Sequence, residues 1–255
     1  PLMVAFAASF AVAVNCCVAP TPTEAVAGVT VTIATGTGGP DRKAAMMMAH
    51  PPVAFAVAAY APAVVTLRSS TRLPLCVERA VKPLPAVPGY DRLVTVNTRA
   101  PDGGAWSLSW PDFKDQRALS RTVELAADEM IQLGMRYDGG ATERVWGMHV
   151  SGNYFDVLRV RPVLGRFFLQ DEEGAAVQAT VLGYAFWQRR FGGDSAVIGR
   201  TVLLNGQAFT VVGVAPPRFG GTMVGLQFDL YVLITTLPVL TPWGAQAMTG
   251  RQFQT

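Results

Sequence analysis

Residues 201–214 read TVLLNGQAFTVVGV, and this stretch determines one element of the fold by itself. Two runs rich in β-branched and apolar residues flank Asn205-Gly206. An Asn-Gly pair between such runs is the strongest short-range signal for a β-hairpin. The sequence therefore predicts a two-residue turn and a definite register, in which the pairs are Leu204 with Gln207, Leu203 with Ala208, and Val202 with Phe209.

The residues before this hairpin predict a strand followed by a helix. The strand covers Ala179–Leu182, and the helix covers Tyr184–Phe191 and ends at Gly192-Gly193. Asp194 is placed to cap the short turn that leads into the hairpin. After the hairpin, the run Phe228–Ile234 predicts a last strand.

A second helix is predicted further upstream, after a strand at Leu93–Asn97. Ser109 is an N-cap residue, Pro111 lies in the first turn, and Asp112 follows the serine by three positions. This pattern predicts a helix at Trp110–Leu119. Its two aromatic residues, Trp110 and Phe113, are three positions apart and face one side.

The segment between these units predicts a second hairpin. Asp138-Gly139-Gly140 favours a tight turn, and Arg144–Val150 is the returning strand. On that strand Trp146, Met148 and Val150 share one face, while Val145, Gly147 and His149 share the other. A short helix is predicted at Asn153–Leu158, with Phe155 and Leu158 directed inward.

The composition indicates a folded protein and excludes some functions. The chain has 255 residues, 50% of them apolar, and a net charge of +3. That apolar fraction is enough for a sizeable core. Basic and acidic residues alternate without forming a basic stripe, so we expect no nucleic-acid partner.

The first third of the chain differs from the rest because it carries almost no charge. Its two apolar runs are Leu2–Val18 and Ala44–Leu67, and the second is long enough to cross a hydrocarbon layer of about 30 Å. Prolines interrupt it, so a spanning helix at Val53–Leu67 would tolerate a kink at Pro62. Residues 1–79 are therefore either a membrane anchor or a sequence artefact. Three cysteines, Cys16, Cys17 and Cys76, match no zinc spacing and are interpreted as small hydrophobic residues.

Few residues suggest a catalytic, metal-binding or phosphate-binding site. The two histidines, His50 and His149, stand without a Ser or Cys motif, so His149 is interpreted as a hydrogen-bonded structural residue. The acidic run Asp171-Glu172-Glu173 has no calcium loop around it and is interpreted as a solvated loop. The segment GTGGPDRK, residues 36–43, lacks the Gly-Lys-Ser/Thr ending of a phosphate-binding loop.

The helix at 184–191 carries two arginines and two large aromatic residues. Arg189 and Arg190 are interpreted as a solvated face, with contact to lipid headgroups or a partner as the alternative. Trp187 and Phe191 are four positions apart and are expected to fill the core. We therefore predict no catalytic, cofactor-binding or metal-binding residues, and no enzymatic activity.

Three ordered blocks resemble the MacB-like periplasmic core domain of ABC-transporter permeases. The blocks are WPDFKDQRALSRT, ERVWGMHVSGNYFDVLRVRPVLGRFF and VLGYAFWQRRFGGDSAVIGRTVLLNGQAFTVVGVAPPRF, and the resemblance extends upstream to AVKPLPAVPGYDRLVTV. It covers about residues 80–237.

This resemblance implies an α+β fold: a mixed α/β extracytoplasmic domain with β-hairpins and short helices, commonly in two lobes, preceded by an apolar N-terminal segment. We assign residues 1–79 to that segment and 80–255 to the domain, which is expected to be incomplete at its C-terminus. The resemblance also implies a separate or fused ABC ATPase, a permease homodimer, a periplasmic adaptor in some members, and a bacterial inner-membrane location. The expected function is to transmit conformational change in export. The alternative is a secreted or membrane-anchored binding module without an ATPase partner.

Overall fold

The computed structural model describes residues 30–31, 56–60, 65–66, 75–79, 84–99, 105–120, 123–223 and 225–251. The described strands are β1 (Thr30–Val31), β2 (Ala56–Tyr60), β3 (Val65–Thr66), β4 (Leu75–Arg79), β5 (Leu93–Arg99), β6 (Ala105–Trp106), β7 (Glu124–Arg136), β8 (Glu143–Val150), β9 (Leu164–Gly165), β10 (Ala179–Leu182), β11 (Thr201–Leu204), β12 (Gln207–Val214) and β13 (Leu230–Leu233). The described α-helices are α1 (Trp110–Leu119), α2 (Tyr154–Val157), α3 (Gln170–Gly174), α4 (Tyr184–Phe191), α5 (Leu237–Leu240) and α6 (Gly244–Thr249). Strands and helices thus mix along the chain, as the predicted fold class requires.

Six of these strands form a closed ring in the order β11–β12–β10–β13–β8–β7. The ring closes where Leu203 and Leu204 of β11 pair with Arg136 and Met135 of β7. Two of the six pairs in the ring are parallel (β10 with β12, β13 with β8), and the other four are antiparallel. Closure gives every ring strand a hydrogen-bonded neighbour on each side.

The long strand β7 belongs both to the ring and to an open extension of the sheet. Its first five residues pair with β2, which continues through β5 to β4. Residues 128–135 of the same strand pair with β8. One continuous backbone therefore connects the extension to the ring.

Two hydrophobic clusters cover opposite faces of the sheet. On β13, Leu230 and Val232 contribute to one cluster, and Tyr231 and Leu233 contribute to the other. Successive strand residues point to opposite faces, so this alternation gives the sheet a core on each side. Cluster 1 fills the ring and includes Trp110 and Phe113 of α1. Cluster 2 is rich in aromatic side chains, among them Tyr154, Phe155, Phe167, Phe168 and Phe219.

The hairpin prediction is confirmed in position and register. β11 and β12 pair Leu204 with Gln207, Leu203 with Ala208, and Val202 with Phe209. Asn205 has φ 48° and Gly206 has φ 83°, as a type I′ turn requires. The asparagine also fixes the ring closure, because its side-chain oxygen accepts a hydrogen bond from the Gly134 amide of β7 at 2.8 Å.

The predicted helices at Trp110–Leu119 and Tyr184–Phe191 are confirmed with the same bounds. Ser109 caps α1 by accepting a hydrogen bond from the Asp112 amide at 3.3 Å. Gly192 ends α4 with φ 60°, in the left-handed region that glycine tolerates. The strand at Ala179–Leu182 is confirmed, and the predicted face division of β8 agrees with the two clusters.

Three elements differ from the predictions. The last strand ends at Leu233, because residues 234–236 form a 3-10 turn in which the Thr236 hydroxyl donates to the Leu233 carbonyl at 2.6 Å. The strand at 93–97 continues to Arg99, where it pairs with β6. The helix predicted at Asn153–Leu158 covers only Tyr154–Val157, although Phe155 and Leu158 are buried as expected.

The predicted spanning helix at Val53–Leu67 is wrong at Ala56–Tyr60, because these residues form β2 between β5 and β7. An apolar run can be a buried strand as well as a helix, and here the sheet supplies hydrogen bonds on both sides. In the part of the chain that the structure describes, no helix has the length and apolar character to cross a membrane. The run Leu2–Val18 lies outside the described residues.

Candidate functional site

A cluster of buried titratable groups lies at the centre of the sheet, where β7, β8 and β13 meet. Asp128 and Glu129 are adjacent on β7, so one carboxyl enters each core. His149 of β8 is opposite Glu129 in the register. Tyr154 of α2 and Tyr231 of β13 complete the group, and Asp128, His149 and both tyrosines are at most 1% exposed. We call these five residues the buried polar cluster.

Asp128 is held by hydroxyl groups on the cluster 2 side. The Thr222 hydroxyl donates to Asp128 Oδ2. The Tyr154 hydroxyl lies 3.4 Å from Thr222 Oγ1 and 3.3 Å from Met148 Sδ. Burial raises the pKa of Asp128 to about 7, although the nearby hydroxyl groups of Thr222 and Tyr154 act in the opposite direction. The closed core therefore favours the neutral, protonated form of Asp128.

Glu129 and His149 face each other across two neighbouring strands on the cluster 1 side. Burial, followed by the charge of Asp128, raises the pKa of Glu129 to about 8. Burial lowers the pKa of His149 to about 3. Both side chains are consequently neutral at pH 7, because charging either one would place an ion in a low-dielectric core.

The expectation of a hydrogen-bonded His149 is wrong within the described residues. Its burial agrees with a structural residue, but neither ring nitrogen has a hydrogen-bond partner among the described residues. Glu129 Oε2 and the Tyr231 hydroxyl share that condition. Apolar side chains of the two cores surround these atoms, and a buried polar atom without a partner costs about 1–3 kcal/mol.

The acidic run at 171–173 is not a solvated loop, because it lies in helix α3 and two of its side chains form ion pairs. Glu173 accepts from Arg117 at 2.6 Å and from the Gly152 amide at 2.6 Å. Glu172 pairs with Arg166 at 2.6 Å, which lowers the pKa of that carboxyl mainly through the hydrogen bond from the arginine. Both acids thus hold protein groups in place.

Arg189 and Arg190 take part in ion pairs at the surface. Arg189 pairs with Asp229 at 2.9 Å, and Arg190 pairs with Glu143 at 2.7 Å. Trp187 packs in cluster 1 and Phe191 packs against it, as predicted. The other candidates from the sequence, His50, Cys16, Cys17 and residues 36–43, lie outside the described residues, and nothing is described of the Cys76 side chain.

Sequence reasoning missed four members of the buried polar cluster. The available signal was the pair Asp128-Glu129 inside the apolar strand ELAADEMIQL, since charged residues are rare on both faces of a buried strand. In the described residues, no group of three or more His, Cys, Asp or Glu side chains is arranged to hold a metal ion. All five residues of this cluster are ionisable, so the chemistry that their side chains offer within the packed core is proton exchange.

The described architecture is that of a mixed α/β domain in which one sheet closes into a ring and extends beyond it. Residues 78–253 match the MacB-like periplasmic core domain family, and the chain belongs to that family. The predicted resemblance is thereby confirmed.

Individual relatives belong to ABC transporters. The chain is 28% identical over 120 residues to the macrolide export ATP-binding/permease protein MacB of Chlorobium luteolum, a match that covers 46% of this chain and 18% of that protein. The chain thus spans less than a fifth of the length of this curated relative.

Two solved structures are partly similar. The periplasmic region of MacB from Actinobacillus actinomycetemcomitans is 20% identical, with a TM-score of 0.44 over 52% of this chain and 58% of that one. The extracellular domain of the noncanonic ABC-type transporter YknZ from Gram-positive bacteria is 22% identical, with a TM-score of 0.38 over 45% of this chain and 56% of that one.

Proposed function

We propose that this chain supplies the extracytoplasmic domain of an ABC permease, transmits conformational change during export, and contacts the substrate or a partner protein. The observation that carries the proposal is the family match over residues 78–253. Family membership alone leaves the role of the domain open, because one fold hosts many functions.

The connection of the sheet supports a mechanical role. Strand β7 pairs with β2 at one end and with β8 and β11 further along, so a displacement of the extension acts on the ring through one hydrogen-bonded backbone. Packed cores with low compressibility transmit such displacement.

The proposal includes partners outside this sequence. An ABC ATPase hydrolyses ATP on the cytoplasmic side, a second permease copy forms a homodimer, and a periplasmic adaptor joins in some systems. The apolar run Leu2–Val18 at the start of residues 1–79 is the segment left to supply a membrane anchor, and residues 80–255 lie outside the bacterial inner membrane in a two-lobed domain. The domain itself catalyses no reaction and needs no cofactor.

The second candidate is a secreted or membrane-anchored binding module that works without an ATPase. It finds some support in the exposed apolar side chains of the described surface, among them Val239 and Trp243, which are 46% and 44% exposed. Exposed apolar residues of this size occur at protein contacts, but two residues are a small patch.

Topology in cells tests the proposal. Ala185 is exposed on α4, so an Ala185→Cys side chain is open to a membrane-impermeant thiol reagent. With Cys16, Cys17 and Cys76 replaced by serine, the complete gene product in intact spheroplasts should react at position 185. It should also co-purify with an ATP-binding subunit or domain. A protein that reacts only after lysis contradicts an extracytoplasmic domain, and one that reacts but never associates with an ATPase supports the binding module.

A further inference from the structure

The segment Phe219–Met223 lies over Asp128, and we name it the cover. Phe219 anchors the cover in cluster 2, with its ring centroid 5.9 Å from that of Phe155 and 5.7 Å from that of Tyr231. Thr222 then reaches Asp128 through its hydroxyl. Between them, Gly221 has φ +81°, and a Cβ added there would lie 3.2 Å from Met148 Cε and 3.3 Å from the Tyr154 oxygen. The cover thus rests directly on the residues around the carboxyl.

We propose that the cover is a proton-controlled latch: it stays closed over neutral Asp128 and opens when that carboxyl becomes charged. This inference rests on the geometry of the cover and is independent of the proposed transport role.

The surroundings of Asp128 favour its neutral form. Its oxygen Oδ1 has no hydrogen-bond partner among the described residues, and Oδ2 depends on one hydroxyl of the cover. A carboxylate at this position has too few donors, since a well-stabilised buried carboxylate accepts two or three hydrogen bonds. Water is the missing donor, and the route by which water reaches the carboxyl is displacement of the cover, where Thr222 is only half-buried.

No neighbouring charge compensates the carboxylate in the described structure. The titratable groups that interact with Asp128 are Glu129 on its own strand, Tyr154 on α2 and Tyr231 on β13, and none of them supplies a positive charge. The flanking strands contribute Val150 of β8 and Ala56 of β2 at the paired positions. His149 lies on the opposite face of the sheet and is neutral at pH 7.

The sign of the effect follows from linkage. Asp128 has a pKa of about 7 when the cover is closed, and an ordinary value of about 3.9 when water reaches it. Opening is therefore favoured tenfold for each pH unit between about 4 and 7, and becomes independent of pH above that range. From pH 5 to pH 7 the opening equilibrium should rise by up to about a hundredfold.

Backbone amide exchange of the full 255-residue chain tests the latch, with each rate divided by the intrinsic rate at the same pH. Protection of the Phe219 amide, which donates to the Pro216 carbonyl at 3.2 Å, and of the buried amides of Gly220 and Gly221 should fall up to about a hundredfold between pH 5 and pH 7 and then stay level to pH 8.5. Amides of the β11–β12 hairpin are the internal control and should keep much higher protection. Equal protection of cover and hairpin at every pH would mean that the cover moves only when the whole domain unfolds, which contradicts the latch.

Two substitutions decide which carboxyl group causes the pH dependence of the cover. Asp128→Asn keeps the shape and accepts from Thr222 but does not titrate, so the protection of its cover should not change with pH. Glu129→Gln is the matched control, because it removes the neighbouring carboxyl on the other face, and the pH dependence of the cover should persist. If Glu129→Gln removes the dependence and Asp128→Asn retains it, the latch at Asp128 is refuted.

A third variant keeps the test valid if Asp128→Asn does not fold. Thr222→Val preserves the shape of the side chain and removes the donor to the carboxylate, which raises the pKa of Asp128 further. The fall in protection should then extend above pH 7 before it levels. An unchanged profile in Thr222→Val would contradict the hydrogen bond on which the latch depends.

Discussion

Phe155→Ala should destabilise the protein more than a typical core truncation. Phe155 is 1% exposed and lies at the centre of cluster 2. Its ring stacks on Phe167 with centroids 3.8 Å apart and planes at 9°, and four more aromatic rings have centroids within 6.0 Å. Truncation of a buried phenylalanine costs about 3–5 kcal/mol, and aromatic pairs add about 0.5–1.5 kcal/mol each beyond their buried area.

We therefore expect a loss of about 4–5 kcal/mol in the free energy of unfolding, close to the upper end for such truncations. In a domain of this size the melting temperature should fall by about 10–20 °C. Urea unfolding followed by circular dichroism measures the free energy. Phe155→Leu is the matched control and should lose less than half as much, while Ala185→Ser on the exposed face of α4 should lose almost nothing.

The contrary result would assign Phe155 to a contact surface. If Phe155→Ala unfolds within about 1 kcal/mol of the wild type while export or partner binding is abolished, the ring is not a packing centre. The cover would also have to be reinterpreted, because Phe219 docks against this ring.

Four other predictions follow from the same structure. Gly206→Val should lower the unfolding midpoint, because a β-branched residue tolerates φ 83° poorly, and an unchanged midpoint would place the turn elsewhere. Glu173→Gln should lower the free energy of unfolding in urea by about 2 kcal/mol, because it leaves the Arg117 guanidinium without its charged partner. Glu172→Gln is the control at a more exposed ion pair and should lower it by less than half as much. Stability should be higher at pH 6 than at pH 8 by roughly 2–4 kcal/mol, because Asp128 and Glu129, with folded pKa values of about 7 and 8, keep protons that the unfolded chain has released. His149, with a folded pKa of about 3, opposes this trend below its ordinary value of 6.5, but one group against two carboxyls only weakens the trend at pH 6. The purified chain should not turn over MgATP, because its sequence has no phosphate-binding loop, and turnover that a substitution in the chain abolishes would contradict this.

Sequence signals within a few residues correctly predicted the hairpin turn, the helix cap and the helix end. The type I′ turn at Asn205-Gly206 and the cap at Ser109 depend on residues within a few positions of each other, so their chemistry is visible in the sequence. Helix α4 ends where Gly192 allows a left-handed residue. These features required no knowledge of distant contacts.

Long-range pairing was beyond that reasoning. The ring closes because β11 meets the end of β7, 67 residues earlier in the chain at the Leu203–Arg136 pair, and no local sequence pattern predicts such a contact. The ion pair of Glu173 with Arg117 also joins residues that are far apart in the chain. The acidic run is therefore partly buried, although its sequence alone suggests a solvated loop. The buried polar cluster depends on three strands and helix α2, which explains why His149 alone gave no indication of it.

A distance measurement across the assembled transporter tests the central proposal most directly. The complete gene product, reconstituted with its ATPase in lipid nanodiscs, carries a single spin label at Ala185→Cys, with the three native cysteines replaced. In a homodimer this label reports one distance between the two extracytoplasmic domains. The proposal predicts that this distance distribution shifts by several ångströms between the nucleotide-free state and the state trapped with ADP and vanadate, which mimics the transition state of ATP hydrolysis. An identical distribution in both states, with ATP hydrolysis intact, would contradict a role of this domain in transmitting conformational change.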